Sequence, residues 1–319
     1  MHQVTCVGII VADVIAKTVN NLPKEGKLEL IEKLELHIGG CASNASIDLE
    51  KIGIRAAIIG KVGNDGFGEF VMNEMKSNGV IVDGVVKGIN SRTSASIVSI
   101  NSNGERSFLH HLGANAEFCS DDINFSIIEN SKIVFVAGAL LMPSFDGNPT
   151  ALLLKKAQDS NVITVMDTAW DSTGKWMHLI KPTLPYLDYF IPSFEEAEMI
   201  SGKNEPEDIA DIFLNEGVKT VVIKLGSKGC FIKNKDGLKY FIEAFRELNV
   251  LDTTGAGDAF AAGFIAGIIN GWDLDKCGIF ANAVGANCVT SIGATSGIIK
   301  MEDIIRFINS QNIKPNPFK

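Results

Sequence analysis

Asp252-Thr-Thr-Gly-Ala-Gly-Asp258 packs two carboxylates and two glycines into seven residues, directly ahead of Ala259-Phe-Ala-Ala-Gly-Phe-Ile-Ala-Gly-Ile-Ile269. The downstream run is small and apolar throughout and reads as a buried helix, while Phe245–Leu251 upstream reads as a strand. The Gly-Ala-Gly turn then opens a helix N-terminus, where unpaired N–H groups and the positive end of the dipole favour an anion. Gly255 and Gly257 let the backbone come close to such a group. A carboxylate in that turn would repel an anion that is merely bound. It suits a base that takes the proton of an attacking hydroxyl while the amides neutralise a phosphoryl in transfer. The same dipole is expected to keep Asp258 ionised. A tight turn with an aspartate helix cap is the competing reading of these residues.

Working outward, short apolar runs suited to buried strands recur at Val4–Ile10, Ala56–Gly60, Ile133–Ala137, Val162–Met166, Tyr189–Ile191 and Thr220–Lys224. Between them lie amphipathic stretches of helical period at Ala42–Lys51, Gly66–Asn78, Thr150–Asp159, Glu195–Ser201 and Pro206–Asn215. Alternating βα units predict an α/β fold with a mostly parallel sheet covered on both faces, and ligands beyond the carboxyl ends of its strands. Lys27–Ile38 instead alternates polar and apolar residues, and Arg92–Ile100 with Glu105–Leu112 forms a hairpin across Asn101-Ser-Asn-Gly104. One-sided strands of this kind predict a small accessory sheet, a lid or dimer interface spanning about 14–38 and 91–112. An edge extension of the main sheet is the alternative. No linker or repeat divides the chain, so 1–319 is expected to be a single domain with that lid inserted, its tail Lys314–Lys319 trailing off the last helix.

Composition narrows the function. Of 319 residues, 46% are hydrophobic and 21% charged, and the net charge is −9 with no Lys/Arg cluster, which argues against nucleic acid as a partner. No apolar stretch reaches membrane-spanning length, and the first residues lack the pattern of a signal peptide, so no membrane and a cytoplasmic location are expected. Cys6, Cys41, Cys119, Cys230, Cys277 and Cys288 show no C-x-x-C spacing and read as reduced thiols. Val7-Gly-Ile-Ile-Val-Ala-Asp13 lacks the glycine fingerprint of a Rossmann dehydrogenase, and no P-loop motif occurs.

The sequence around Asp252–Asp258 resembles the C-terminal signature of the PfkB, or ribokinase-like, carbohydrate kinases. Gly39-Gly40-Cys-Ala-Ser-Asn44-Ala45, with Gly53 ending the next helix, is similar to the family's other signature. Phe67-Gly68, Gly113-Ala-Asn-Ala116 and Lys224-Leu-Gly-Ser-Lys-Gly229 match in order, so the likeness spans residues 4 to 308. It implies a three-layer α/β/α ribokinase-like fold with a small β-sheet lid. By the same resemblance, Asp258 is the base, Gly255, Ala256 and Gly257 form the anion hole, and Asp13, Gly39, Gly40 and Asn44 bind the sugar. Lys224, Gly226, Gly229, Asn282 and Ser193 fall at the nucleotide site. Glu196 organises Mg²⁺ through water, and Asp252, Thr254 and Gly293 match a K⁺ site. The implied activity is ATP- and Mg²⁺-dependent phosphorylation of a primary hydroxyl, in a homodimer formed through the lid.

Departures from the family pattern leave the acceptor open. Ser193-Phe-Glu-Glu196 keeps the glutamate of an Asn-x-x-Glu motif and replaces its asparagine; Cys41 and Ala42 stand where ribokinases carry Lys and Gly. Ala139-Leu-Leu-Met142 lacks a sugar-touching glutamate, and Gly297 replaces a serine of the cation loop. On the strand Glu105–Leu112, alternation allows only one of His110 and His111 to face a sugar. Lys27, Arg92 and Arg106 are the cations available for a phosphorylated acceptor, and Phe108 or Phe118 for a nucleobase. The order of expectation is an unphosphorylated sugar or sugar acid, then a nucleoside, then a sugar phosphate. An inactive ligand-sensing relative is the non-enzymatic alternative.

Overall fold

The computed structural model describes residues 2–103, 105–246, 248–311 and 318. The glycine of the hairpin turn, Gly104, and all of the tail from Lys314 except Phe318 lie outside them, as does the Arg106 side chain. The large sheet contains β1 (Val4–Gly8), β4 (Ala56–Gly63), β5 (Ile81–Gly88), β8 (Ile133–Ala139), β9 (Ile163–Thr168), β10 (Tyr189–Phe190), β11 (Thr220–Lys224), β12 (Cys230–Asn234) and β13 (Lys239–Ile242). Its order is β13-β12-β11-β10-β9-β8-β1-β4-β5, parallel except for the antiparallel β12 and β13. β1 and β8 are buried along their whole length, as parallel strands sandwiched between helices must be.

Two apolar layers enclose the sheet. One joins the helices Cys41–Ile52, Ala256–Ile269 and Leu274–Cys288 to β1 and β4; the other joins Asn148–Asp159 and Pro206–Asn215 to β8 and β11. Small residues let Ala256–Ile269 press against Leu274–Cys288. A Cβ on Gly263 would lie 2.9 Å from the Cα of Ala281, so glycine sets that close approach.

The second sheet contains β2 (Val11–Lys17), β3 (Lys33–Gly39), β6 (Ala95–Ile100) and β7 (Arg106–His111), in the order β3-β2-β6-β7. It leaves the large sheet at Ile9-Ile10, where the Asn115 side chain both accepts from Ile10 N–H (3.3 Å) and donates to Ile10 O (3.2 Å). At the other junction Asp65 accepts from Gly68 N–H, Thr93 N–H and the Thr93 hydroxyl, at 2.7 to 2.9 Å.

Three expectations are corrected. Residues 27–32 are not part of a strand: β2 ends at Lys17, paired with Lys33, and offers nothing for earlier residues to pair with. The described residues of 245–251 form no strand, because Phe245, Leu248 and Val250 line a cleft instead. The strand expected over Val4–Ile10 ends at Gly8, and Asp13 lies in a separate strand, β2, of the small sheet.

Candidate active site

The turn Thr253–Gly255 delivers the chain into the helix Ala256–Ile269 with Gly255 as its N-cap at φ 76°, a left-handed geometry. A Cβ there would also lie 2.4 Å from Ala294 O, so both conformation and space require glycine. Asp258 sits in the first turn of this helix, and its Oδ2 accepts a 2.8 Å hydrogen bond from Asn44 Nδ2. Hydrogen bonds to a charged group of this kind contribute about 1.5–3 kcal/mol. Burial raises the Asp258 carboxyl above its ordinary value, held back by Asn44, the Lys224 charge and the Cys41 thiol. Desolvation, the largest influence on this carboxyl, works against the helix dipole that is expected to keep it ionised.

Asp258 itself lines a chamber of about 410 Å³ together with Cys41, Asp167, Thr168, Glu196, Lys224 and Gly257, among others. Lys224 makes a short ion pair with buried Asp167. Burial alone would lower the Lys224 pKa, but Asp167, Glu196 and Asp258 raise it, so the ammonium stays charged. Glu196 Oε2 is oriented by the Thr168 hydroxyl (2.9 Å) and by Ser193 N–H (3.1 Å). Ser193 is thereby the N-cap of the helix Phe194–Ser201, its hydroxyl accepting from Glu196 N–H, and this capping use explains how serine serves in place of asparagine. Asp167 and Thr168 were not singled out from sequence. Their signal was available, since both fall at the carboxyl end of a recognised strand.

A cleft of about 460 Å³ continues from Lys224 past Gly226, Gly229, Ala256 and Asn282. Gly229 has φ 103°, and a Cβ on it would lie 1.9 Å from Ile242 O. Asn282 Nδ2 donates to Ile242 O (3.1 Å) and Glu243 O (3.2 Å), so its amide hydrogens brace the cleft wall. On the far side of the helix terminus, buried Asp252 accepts from Thr254 N–H (2.7 Å) and Gly293 N–H (2.9 Å), bringing these three residues together.

The small sheet places Asp13 within electrostatic reach of Asp258. Register places His37, Asp13, Ser96 and His110 in one line across its four strands. Ser96 Oγ and His110 Nδ1 are 3.1 Å apart. Burial raises the Asp13 carboxyl, while Ser96 and His37 counteract the rise, and the charge of Asp258 acts on it too. Gly39 abuts this acid: a Cβ would come within 2.0 Å of Asp13 Oδ2. Gly40 has φ 93° and leads into the helix Cys41–Ile52 that carries Asn44. Of the two histidines, His110 shares the Asp13 row and His111 lies on the opposite face beside Arg92. Phe118 is buried edge-on against Phe145, which removes it as a base-stacking slot.

A profile of the pfkB family carbohydrate kinases matches residues 1–301. The chain is 29% identical to a 5-dehydro-2-deoxygluconokinase of Clostridium perfringens, over 86% of this chain and 85% of that one. It is 28% identical to the 2-dehydro-3-deoxygluconokinase of Bacillus subtilis, over 90% and 91%. The structure of Arabidopsis thaliana ribokinase complexed with ribose and ATP superposes with a TM-score of 0.85 at 26% identity, over 96% and 98%. A nine-stranded, mostly parallel sheet between helices, a small second sheet over its strand ends and this family match lead to one conclusion: the chain belongs to the pfkB family of carbohydrate kinases, with the ribokinase fold, and is a phosphotransferase acting on a hydroxyl group.

Proposed function

We propose that the protein transfers the γ-phosphoryl of ATP to a primary hydroxyl of a small sugar or sugar acid, with Asp258 as the base. The observation that carries this reading is the Asp258 carboxylate, held by Asn44 at a glycine-built helix terminus and lining one chamber with Lys224. The acceptor, gripped through its hydroxyls by Asp13, presents its hydroxymethyl group to Asp258. That carboxylate takes the proton as the oxygen attacks phosphorus in line, and the first-turn amides with Lys224 stabilise the charge on the phosphoryl. The small sheet acts as a lid that excludes water.

Among the described residues no cluster of three or more metal-ligating side chains occurs. Glu196 and Asp167 fit the mode in which Mg²⁺ takes one or two carboxylates, with phosphate oxygens and water completing its shell. When bound there it would neutralise phosphate charge. The juxtaposed Asp252, Thr254 and Gly293 support a K⁺ site behind the anion hole, which a comparison of turnover in K⁺ and in Na⁺ tests.

Support for an uncharged or weakly charged acceptor comes from the lid row. Burial lowers the His110 pKa, which leaves the imidazole neutral, and Arg92 lies on the other face. Two relatives are named for sugar acids, which keeps that class beside neutral sugars. The outer lid face carries a row of aliphatics, Leu36, Val14, Ile97 and Leu109, of which Ile97 and Leu109 are 50% and 65% exposed; this supports a homodimer through the lid. Release of ADP is to be measured with ribose, fructose, keto-deoxy-gluconate, inositol, nucleosides and a sugar phosphate. ADP release only with a nucleoside or sugar phosphate overturns the acceptor class, and release with none favours the ligand-sensing reading.

A further inference from the structure

Behind the Asn44–Asp258 contact lies a second carboxylate that the phosphoryl-transfer scheme leaves unused. Asp48 is completely buried on the helix Cys41–Ile52, four residues after Asn44 and so on the same helix face. Neither of its oxygens has a hydrogen-bond partner, and neither has Asn44 Oδ1, which is also buried. The donor end of the same amide is the Nδ2 that holds Asp258 at 2.8 Å. Three orphaned acceptors one helical turn apart, with no donor among them, would make an expensive arrangement if Asp48 were ionised. One proton on Asp48 turns it into a donor and resolves the conflict.

We propose that Asp48 is a positioning residue: its neutral carboxyl donates a hydrogen bond to Asn44 Oδ1, directly or through one buried water, and so locks the amide with Nδ2 toward Asp258. An ionised Asp258 itself favours Nδ2 over Oδ1, and the Asp48 donor would hold the far end of the amide so that this orientation stays fixed. With the amide turned, its oxygen would confront the Asp258 carboxylate.

The surroundings favour the neutral acid. Desolvation lifts the Asp48 carboxyl well above its ordinary value and the charge of Asp258 adds to the rise, opposed by Lys51. Lys51 donates to Thr295 O (2.8 Å) and makes no hydrogen bond to Asp48. The other titratable groups acting across this space are the thiols of Cys6 on β1 and Cys288 on the helix Leu274–Cys288, both pushed up by burial and neutral. Asp258 in turn feels Asn44, Lys224, Cys41 and Glu196, and weaker charge effects link it to Asp13 and Asp167.

The proposal rests on the assignment of Asp258 as base, and its test separates the two. In the infrared difference spectrum of wild type minus D48N at neutral pH, a protonated-carboxyl band is expected; a carboxylate band alone overturns the proposal whatever the enzyme's activity. In turnover, D48N keeps a donor for Asn44 Oδ1 and should stay within about 3-fold of wild-type kcat. D48L removes the donor and should lower kcat by ~10-fold, moving the acidic limb of kcat/KM up by about one pH unit. In an N44A background D48L should add no further loss. Equal losses in D48N and D48L, or full additivity with N44A, overturn the positioning role. If D48L does not fold, the infrared band and the D48N rate still decide.

Discussion

The chamber beside Asp258 and the small sheet proposed as a lid are made in different ways. The chamber is made of strand ends and a helix terminus in the nine-stranded sheet, where Gly255 and Gly229 are fixed by backbone contacts that no side chain would survive. Its charged groups, Lys224, Asp167, Glu196 and Asp258, constrain one another inside the protein. The lid is a four-stranded ribbon whose inward row, His37–Asp13–Ser96–His110, is a set of side chains on an otherwise ordinary sheet. One region can change only by breaking; the other can change residue by residue. This contrast supports the proposed division, in which the chamber sets the transfer chemistry and the small sheet the choice of acceptor.

The largest effect that would sharpen this contrast is Asp258→Asn, which should lower kcat by about 10³-fold while ATP still binds. Near-normal kcat in that variant, measured by ADP release, would move the base elsewhere. On the lid side, Asp13→Ala should raise KM for the acceptor by ~10-fold or more with a smaller change in kcat. Gly39→Ala should push in the same direction, because the added methyl must displace the Asp13 carboxylate. If either variant instead weakens ATP binding, the division between the two regions fails.

A pH profile tests both regions together. Asp258 acts as a carboxylate, and burial raises its pKa, so kcat/KM should fall as pH drops through a limb above the ordinary carboxylate range. Asn44→Ala removes a hydrogen bond that favours the ionised form and should move the limb higher still. A limb at the ordinary aspartate value would show that the site is wetter than its geometry implies. The smallest catalytic effect is expected from Ile97→Glu combined with Leu109→Glu on the outer lid face. Sedimentation should then report a monomer where wild type gives a dimer, with kcat little changed. A wild-type monomer would remove the interface altogether.

Much of the chamber was readable in sequence because its constraints are local. Thr220–Lys224 and Pro206–Asn215 have the bounds their periodicity predicts, and the Gly-Ala-Gly turn does open a helix. The lid was harder. Val11-Ala-Asp-Val-Ile-Ala-Lys17 follows directly on the apolar β1 and carries apolar residues on both faces, so nothing marks it as a separate strand. Once that strand is missed, the alignment of Asp13 with His37 and Ser96 cannot be seen, since it exists only through pairing. The first half of Lys27–Ile38 fails for the complementary reason: alternation alone does not make a strand where no neighbour is present, and only residues from Lys33 onward have one. Asp48 is a third kind of case. Its spacing from Asn44 is plain in sequence, but that both carry unpartnered buried oxygens appears only in three dimensions.

The path of the chain through Gly39 and Gly40 ties the two regions together. β3 flanks Asp13 in the lid and ends at Gly39; after Gly40 the helix that holds Asn44 begins. Gly40, with φ 93° and a would-be Cβ 2.6 Å from Ile9 O, is wedged against the base of the lid. The joint between β3 and the helix that carries Asn44 is thus Gly39-Gly40. If the small sheet acts as the proposed lid, its movement has little slack in which to dissipate before it reaches Asn44, and acceptor binding and the setting of Asp258 become mechanically one event.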